Sequence, residues 1–243
     1  MERCSEERFN ILRANYERIC ERIATAAARS GRSSEDIELV AVTKTVPIEV
    51  INASIALGVR HIGENRVQEL ASKYELLAGR ESLQVSVIGH LQTNKAKRAV
   101  EMADMIQSVD SLHVAQAIAR HAEAQGKTVP CLVEVNIGGE ESKSGIEPQQ
   151  VEEMVFAAGE LPGLQVQGLM IIPPFDEDTS KTRRYFEKIH KLFIDIGSKK
   201  LHNSNVMMRY LSMGMSADYA EAIEEGSNMV RVGSALYGAR VYK

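Results

Sequence analysis

Leu39-Val40-Ala41-Val42-Thr43-Lys44 (LVAVTK, 39–44) is too short for a helix and too apolar for a strand with one face in solvent. It reads as a strand buried on both faces, as parallel strands are. Seven runs of the same kind follow: near Val59 (VRHIGEN), Gln84 (QVSVIGH), Met105 (MIQSVD), Val129 (VPCLVEVNI), Leu164 (LQVQGLMII), Val206 (VMMRYLSMG) and Met229 (MVRVG). Helical patterns lie between them. Pro47 opens one and Gly58 closes it. Val67, Leu70, Ala71 and Tyr74 mark the next, and Tyr185, Ile189, Leu192 and Ile196 mark the one after the sixth strand. Thr93, Ser111 and Ser216 are candidate N-caps. Eight strands with seven intervening helices predict an α/β chain closed into a single (β/α)8 TIM barrel. An open doubly wound sheet is the competitor, but its GxGxxG fingerprint after the first strand is missing.

Before the first strand, Phe9, Leu12, Tyr16, Ile19 and Ile23 form one apolar stripe on a long helix, with Gly31 at its C-terminal cap. Residues 1–31 are expected to pack on the barrel, and no Pro/Gly/Ser-rich linker divides 1–243. Hydrophobic residues are 44% and charged residues 26%, which excludes a disordered chain or a disulfide scaffold. The net charge of −4 gives no basic excess for nucleic acid. No apolar run is long enough to span a bilayer, and the charged N-terminus lacks a signal-peptide centre. Cys4, Cys20 and Cys131 lie far apart with no CxxC pair, which argues against zinc or a redox dithiol. A cytoplasmic monomer is the expectation.

In a barrel, polar residues at the C-terminal ends of the strands share one mouth. Those ends read Lys44, Glu64-Asn65, His90, Asp110, Asn136, Met170 followed by Pro173, Ser212, and Arg231 with Gly233. Lys44 ends an apolar run, and a lysine there is costly to desolvate unless it is used. Burial lowers a lysine's pKa, and the neutral amine is a nucleophile toward carbonyls. The competing reading is a lysine that reaches the rim and stays solvated. After the eighth strand, Gly233-Ser234 opens a short turn whose amides suit a phosphate, and phosphate sites recur after strands seven and eight of barrels. Ser212, followed by Met213-Gly214, can add a hydroxyl. Alternatively, Gly233 merely lets the chain turn.

The segments AVTKTVP (41–47), HIGENRVQE (61–69), IGHLQTNKAK (88–97), VNIGGEESKSGI (135–146), GLMIIPP (168–174), LSMGMSADYAEAI (211–223) and MVRVGSALYG (229–238) resemble the YggS/PROSC family. That family binds pyridoxal 5'-phosphate (PLP), serves in vitamin B6 homeostasis, and is similar to the barrel domain of alanine racemase. By this resemblance Lys44 holds the cofactor covalently, while Ser212, Gly233 and Ser234 hold its phosphate. Arg231 faces the pyridine nitrogen, Asn65 and Met213 line the cofactor, and His90 lies near the mouth. An arginine stays protonated and disfavours a pyridinium, so the pairing of Lys44 with Arg231 suits binding better than carbanion chemistry. An ion pair of Arg231 inside the barrel, with Glu64, is the structural alternative.

The resemblance implies a non-catalytic carrier that supplies PLP to apo-enzymes through transient contact. A PLP-dependent amino-acid racemase is the alternative. Lys143, in the loop after the fifth strand, is a second amine that could accept the aldehyde, or a solvated loop lysine. Gly138 to Ser144 only superficially resembles a P-loop. His61, His113, His121, His190 and His202 have no partner at ligand spacing and read as surface or packing residues, and Cys131 reads as core.

Overall fold

The computed structural model describes residues 4–140, 144–174, 178–199 and 205–239. Eight parallel strands run in sequence order around a closed barrel. They are β1 (Glu38–Val42), β2 (His61–Glu64), β3 (Gln84–Val87), β4 (Met105–Val109), β5 (Val129–Val135), β6 (Leu164–Ile171), β7 (Val206–Ser212) and β8 (Met229–Val232). Closure comes from β1 pairing with β8, Glu38 opposite Met229 and Ala41 opposite Val232. The seven expected helices alternate with the strands: α2 (Ile48–Leu57), α3 (Val67–Lys73), α4 (Ala96–Met102), α5 (Leu112–Glu123), α6 (Val151–Gly159), α7 (Thr179–Gly197) and α8 (Tyr219–Glu224). A single turn, α9 (Ser234–Tyr237), follows β8.

The N-terminal helix α1 (Glu6–Arg29) is capped by Ser5, which accepts from the Arg8 N–H. It buries Leu12, Ile19 and Ile23 against the outside of the barrel, on α2, α8 and α9. Gly31 follows with φ +71°, the left-handed residue that ends a helix. Ser111 caps α5 by accepting from Val114 N–H, as its position suggests. The other two cap candidates do different work. Thr93 opens a 3-10 turn before α4 without capping it, and Ser216 lies ahead of α8 with its hydroxyl turned to the end of β8. Among the described residues no helix is long and apolar enough to cross a membrane.

Strand side chains alternate between two cores. The larger one lies between sheet and helices and includes Ile62, Ile106, Cys131, Val133, Val166, Val230 and Val232. The smaller one fills the barrel: Val40, Met105, Leu132, Met170 and Met229, with Tyr210 against it. Residues two positions along from that inner set also point inward. Below it stand Glu38 and His61; above it, toward the mouth, stand Glu134, Ser212 and Arg231. β6 and β7 meet with a shift in register between Val166 and Gly168. At Gly168 φ is +144° and a Cβ would stand 1.8 Å from the Tyr210 carbonyl oxygen, so this irregularity requires glycine.

Candidate active site at the barrel mouth

Lys44 leaves β1 in a turn that is held on both sides. The Lys73 ammonium donates to the Thr43 carbonyl (2.8 Å), and the Glu69 carboxylate accepts from the Thr45 N–H (2.5 Å). Lys73 also pairs with Glu64 (2.7 Å) and Glu69 (2.6 Å). Burial pushes the Glu64 carboxyl up, and Lys73 opposes that shift. Between these clamps Thr45 has φ +61°, the sole non-glycine in the left-handed region among the described residues. A β-branched residue there costs about 1–2 kcal/mol, strain that only a surrounding set of bonds can maintain. These bonds hold the backbone on either side of Lys44.

Lys44 lines a cavity of about 430 Å³ together with Arg8, Gly233, Ser234 and Tyr237. Of the expected site residues, Lys44, Gly233 and Ser234 therefore share one hollow. Gly233 has φ −116°, so left-handed freedom does not select glycine there. Its N–H and that of Ala235 both point at the Ser216 hydroxyl, at 3.1 and 3.2 Å. The Tyr237 hydroxyl is bonded to Ser54 (2.9 Å), and burial pushes its pKa up.

Arg231 stands inside the barrel and is 3% exposed. Its Nη1 donates to Ser212 (2.6 Å) and its Nη2 to the Ile171 carbonyl (2.8 Å), while its Nε–H has no hydrogen-bond partner among the described residues. Burial lowers its pKa to about 10, so it remains a cation at neutral pH. The alternative pairing with Glu64 is not formed. Glu64 is on the outward face of β2, bonded to Lys73 and Thr43, and cannot reach the barrel interior. Ser212 is fully buried, donating to Gln107 (2.8 Å) as it accepts from Arg231, so its hydroxyl serves the arginine and does not line the Lys44 cavity.

The remaining expected residues are spread around the mouth. Asn65 follows β2 half-buried, and its Oδ1 is a buried atom with no hydrogen-bond partner among the described residues. His90, after β3, is exposed and bonded to Asp110 (2.7 Å). Met213 is fully buried in the outer core, and its side chain does not face the cavity. Lys143 and His202 lie outside the described residues.

Sequence reasoning passed over three functional groups. Ser216 was weighed only as a helix cap. Lys73 lies on an exposed-looking helix and shows its role only when the β1 turn is seen beneath it. Glu134 sits inside an apolar strand, 7% exposed, one inward position above Leu132. Burial, with Asp110 adding to it, raises its carboxyl to about 7, against the opposing pull of Arg231 and His90. Its Oε2 has no hydrogen-bond partner among the described residues. The available signal was a lone carboxylate in a run otherwise fit for a core.

Comparison with known proteins places this geometry. The family described as alanine racemase, N-terminal domain, matches residues 12–241. A curated relative, the pyridoxal phosphate homeostasis protein of Aquifex aeolicus (strain VF5), is 41% identical over 93% of this chain and 96% of its own length. A crystal structure of an unknown protein from Bifidobacterium adolescentis is 38% identical, with a TM-score of 0.90 over 97% of this chain and 98% of that one. PipY of Synechococcus elongatus PCC7942, solved with PLP bound, is 33% identical, with a TM-score of 0.78 over 90% of this chain and 100% of that one.

Proposed function

This chain belongs to the alanine racemase N-terminal domain family, alongside the pyridoxal phosphate homeostasis proteins, and from that premise we propose that its mouth binds PLP and hands it on without catalytic turnover. The observation that carries the reading is one cavity lined by Lys44 together with Gly233 and Ser234. When bound, the cofactor supplies an aldehyde carbon that a lysine amine can capture. The groups present fit it. The backbone on either side of Lys44 is held by Glu69 and Lys73. The Ser234 hydroxyl is a neutral donor suited to a phosphate dianion, and the peptide N–H groups of Gly233 and Ala235, which donate to Ser216 in this structure, would join it where the phosphate replaced the Ser216 hydroxyl as their acceptor. The Arg231 Nε–H is the donor left for a ring nitrogen, and Ser212 keeps that guanidinium in place. Asn65 Oδ1 is a further polar atom without a hydrogen-bond partner among the described residues. In this reading His90 stands at the entrance, and Met213 contributes through the backbone and core packing.

The absence of turnover is argued from the same residues. Two-base racemisation of an amino acid needs an acid/base group on each face of the carbon. Tyr237 is the tyrosine that lines the cavity with Lys44, and it is tied to Ser54 with its ionised form disfavoured by burial. Transient delivery to apo-enzymes, as a cytoplasmic monomer, completes the proposal.

The test is chemical. PLP is added to the purified protein, the complex is reduced with borohydride, and its peptides are mapped by mass. The pyridoxyl group is expected on Lys44, and Lys44→Ala is expected to stay colourless and unlabelled. A label confined to other lysines would overturn the assignment.

A further inference from the structure

A continuous chain of hydrogen bonds crosses the barrel from Arg231 to the opposite end. Arg231 Nη1 donates to Ser212 Oγ (2.6 Å), and Ser212 Oγ to Gln107 Oε1 (2.8 Å). Gln107 Nε2 donates to Ser86 Oγ (3.1 Å), Ser86 Oγ meets His61 Nε2 (2.7 Å), and His61 Nδ1 meets Glu38 Oε1 (2.8 Å). An arginine can only donate and a carboxylate only accept, so the two ends impose the same direction. Reversing the Gln107 amide would aim N–H at Ser212, leave the Ser212 hydrogen without an acceptor in the core, and make His61 donate at both nitrogens. A buried donor without an acceptor costs about 1–3 kcal/mol, which selects the first arrangement. In it His61 carries its hydrogen on Nδ1 alone. His61 is 2% exposed, whereas the Glu38 side chain is 31% exposed and lines a separate cavity of about 500 Å³ with Tyr16, Arg60, Arg209 and Tyr210. The hydrogen bond from His61 holds the Glu38 carboxyl below the usual carboxylate range, so the chain ends on an anion.

We propose that Glu38 and His61, at the far end of the barrel from the mouth, are positioning residues for Arg231: they fix the direction of the chain and hence keep one face of Ser212 open to the guanidinium. The expected influence on a bound cofactor rests on the function proposed above, while the order of the chain does not. Two measurements on the cofactor-free protein therefore come first. Nitrogen NMR of the histidine rings should find His61 neutral with hydrogen on Nδ1. The Arg231 Nε–H resonance should be sharp in the wild type and in Glu38→Gln, whose amide oxygen can still accept, and exchange-broadened in Glu38→Ala and in folded Ser86→Ala. With PLP added, Glu38→Ala should bind roughly fivefold more weakly, about one net hydrogen bond, and shift the cofactor's absorption band, and Glu38→Gln should restore both. A His61 ring protonated on Nε2, or Glu38→Ala matching the wild type in the Arg231 resonance, would overturn the proposal. Should the wild type bind no PLP, the function proposed above fails and the two NMR measurements alone decide this one.

Discussion

Glu134 shows what a single inward-facing side chain does to the whole chain's response to pH. Its carboxyl is raised from 4.5 to about 7, chiefly by burial. Across that window the folded chain keeps a proton that the unfolded chain gives up. Stability from this group is therefore present below the unfolded value and lost as pH rises through the folded one. Glu134→Gln removes the titration and keeps the shape. Its melting temperature relative to wild type should climb between about pH 5 and about pH 8, the gain reaching on the order of 2–3 kcal/mol, or roughly 5–10 °C. A difference that stays flat with pH would place the carboxyl in water. Lys44 and Glu134 also mark the limit of reading residues in sequence. A lysine at the end of LVAVTK breaks an apolar pattern at a strand end and so declares itself. Glu134 lies inside its run, and its meaning depends on which residues of β4 and β8 face it, which no linear spacing contains. Ser212 was legible as a polar residue at a strand end, but its direction was not, because that is set by Gln107 from β4 and Arg231 from β8.

At the scale of elements, strands and helices were legible because each strand is a short apolar run and each helix a stripe, two signals with different periods. Their irregularities were not. The register shift between β6 and β7 depends on the Gly168 backbone at φ +144°, where a Cβ would stand 1.8 Å from the Tyr210 carbonyl oxygen. Gly168→Ala should cost at least ~2 kcal/mol through backbone strain and displacement of β7, lowering the melting temperature by some 4–8 °C. Circular dichroism melts of the two proteins check this, and an unchanged midpoint would mean that the shift can relax. The turn after β1 was hidden for a similar reason. Its shape comes from Lys73 and Glu69 on α3, a helix whose own sequence shows only an amphipathic face.

The whole molecule is a closed barrel, and the eight-run pattern made that legible from the chain alone. What the pattern leaves open is whether the mouth transforms a substrate or only holds a ligand. Loaded with PLP and given alanine in deuterated water, the protein should exchange α-protons far more slowly than ordinary enzymes, whose turnover is on the order of 1 per second or faster. Exchange at that rate would replace the carrier reading with a racemase. The closure of the barrel carries a different consequence, for biosynthesis. β1 is sealed by β8, and the Asn15 side chain on α1 is bonded to the Leu236 carbonyl in α9, 221 residues away. At ~5–20 residues per second, the roughly 190 residues between β1 and β8 take about 10–40 s to emerge from a ribosome. Throughout that interval β1 has a bare edge and α1 lacks part of the surface it is to cover. The nascent chain thus waits with sticky, half-finished segments, and its yield in a crowded cell depends on how well they are shielded until the last strand arrives.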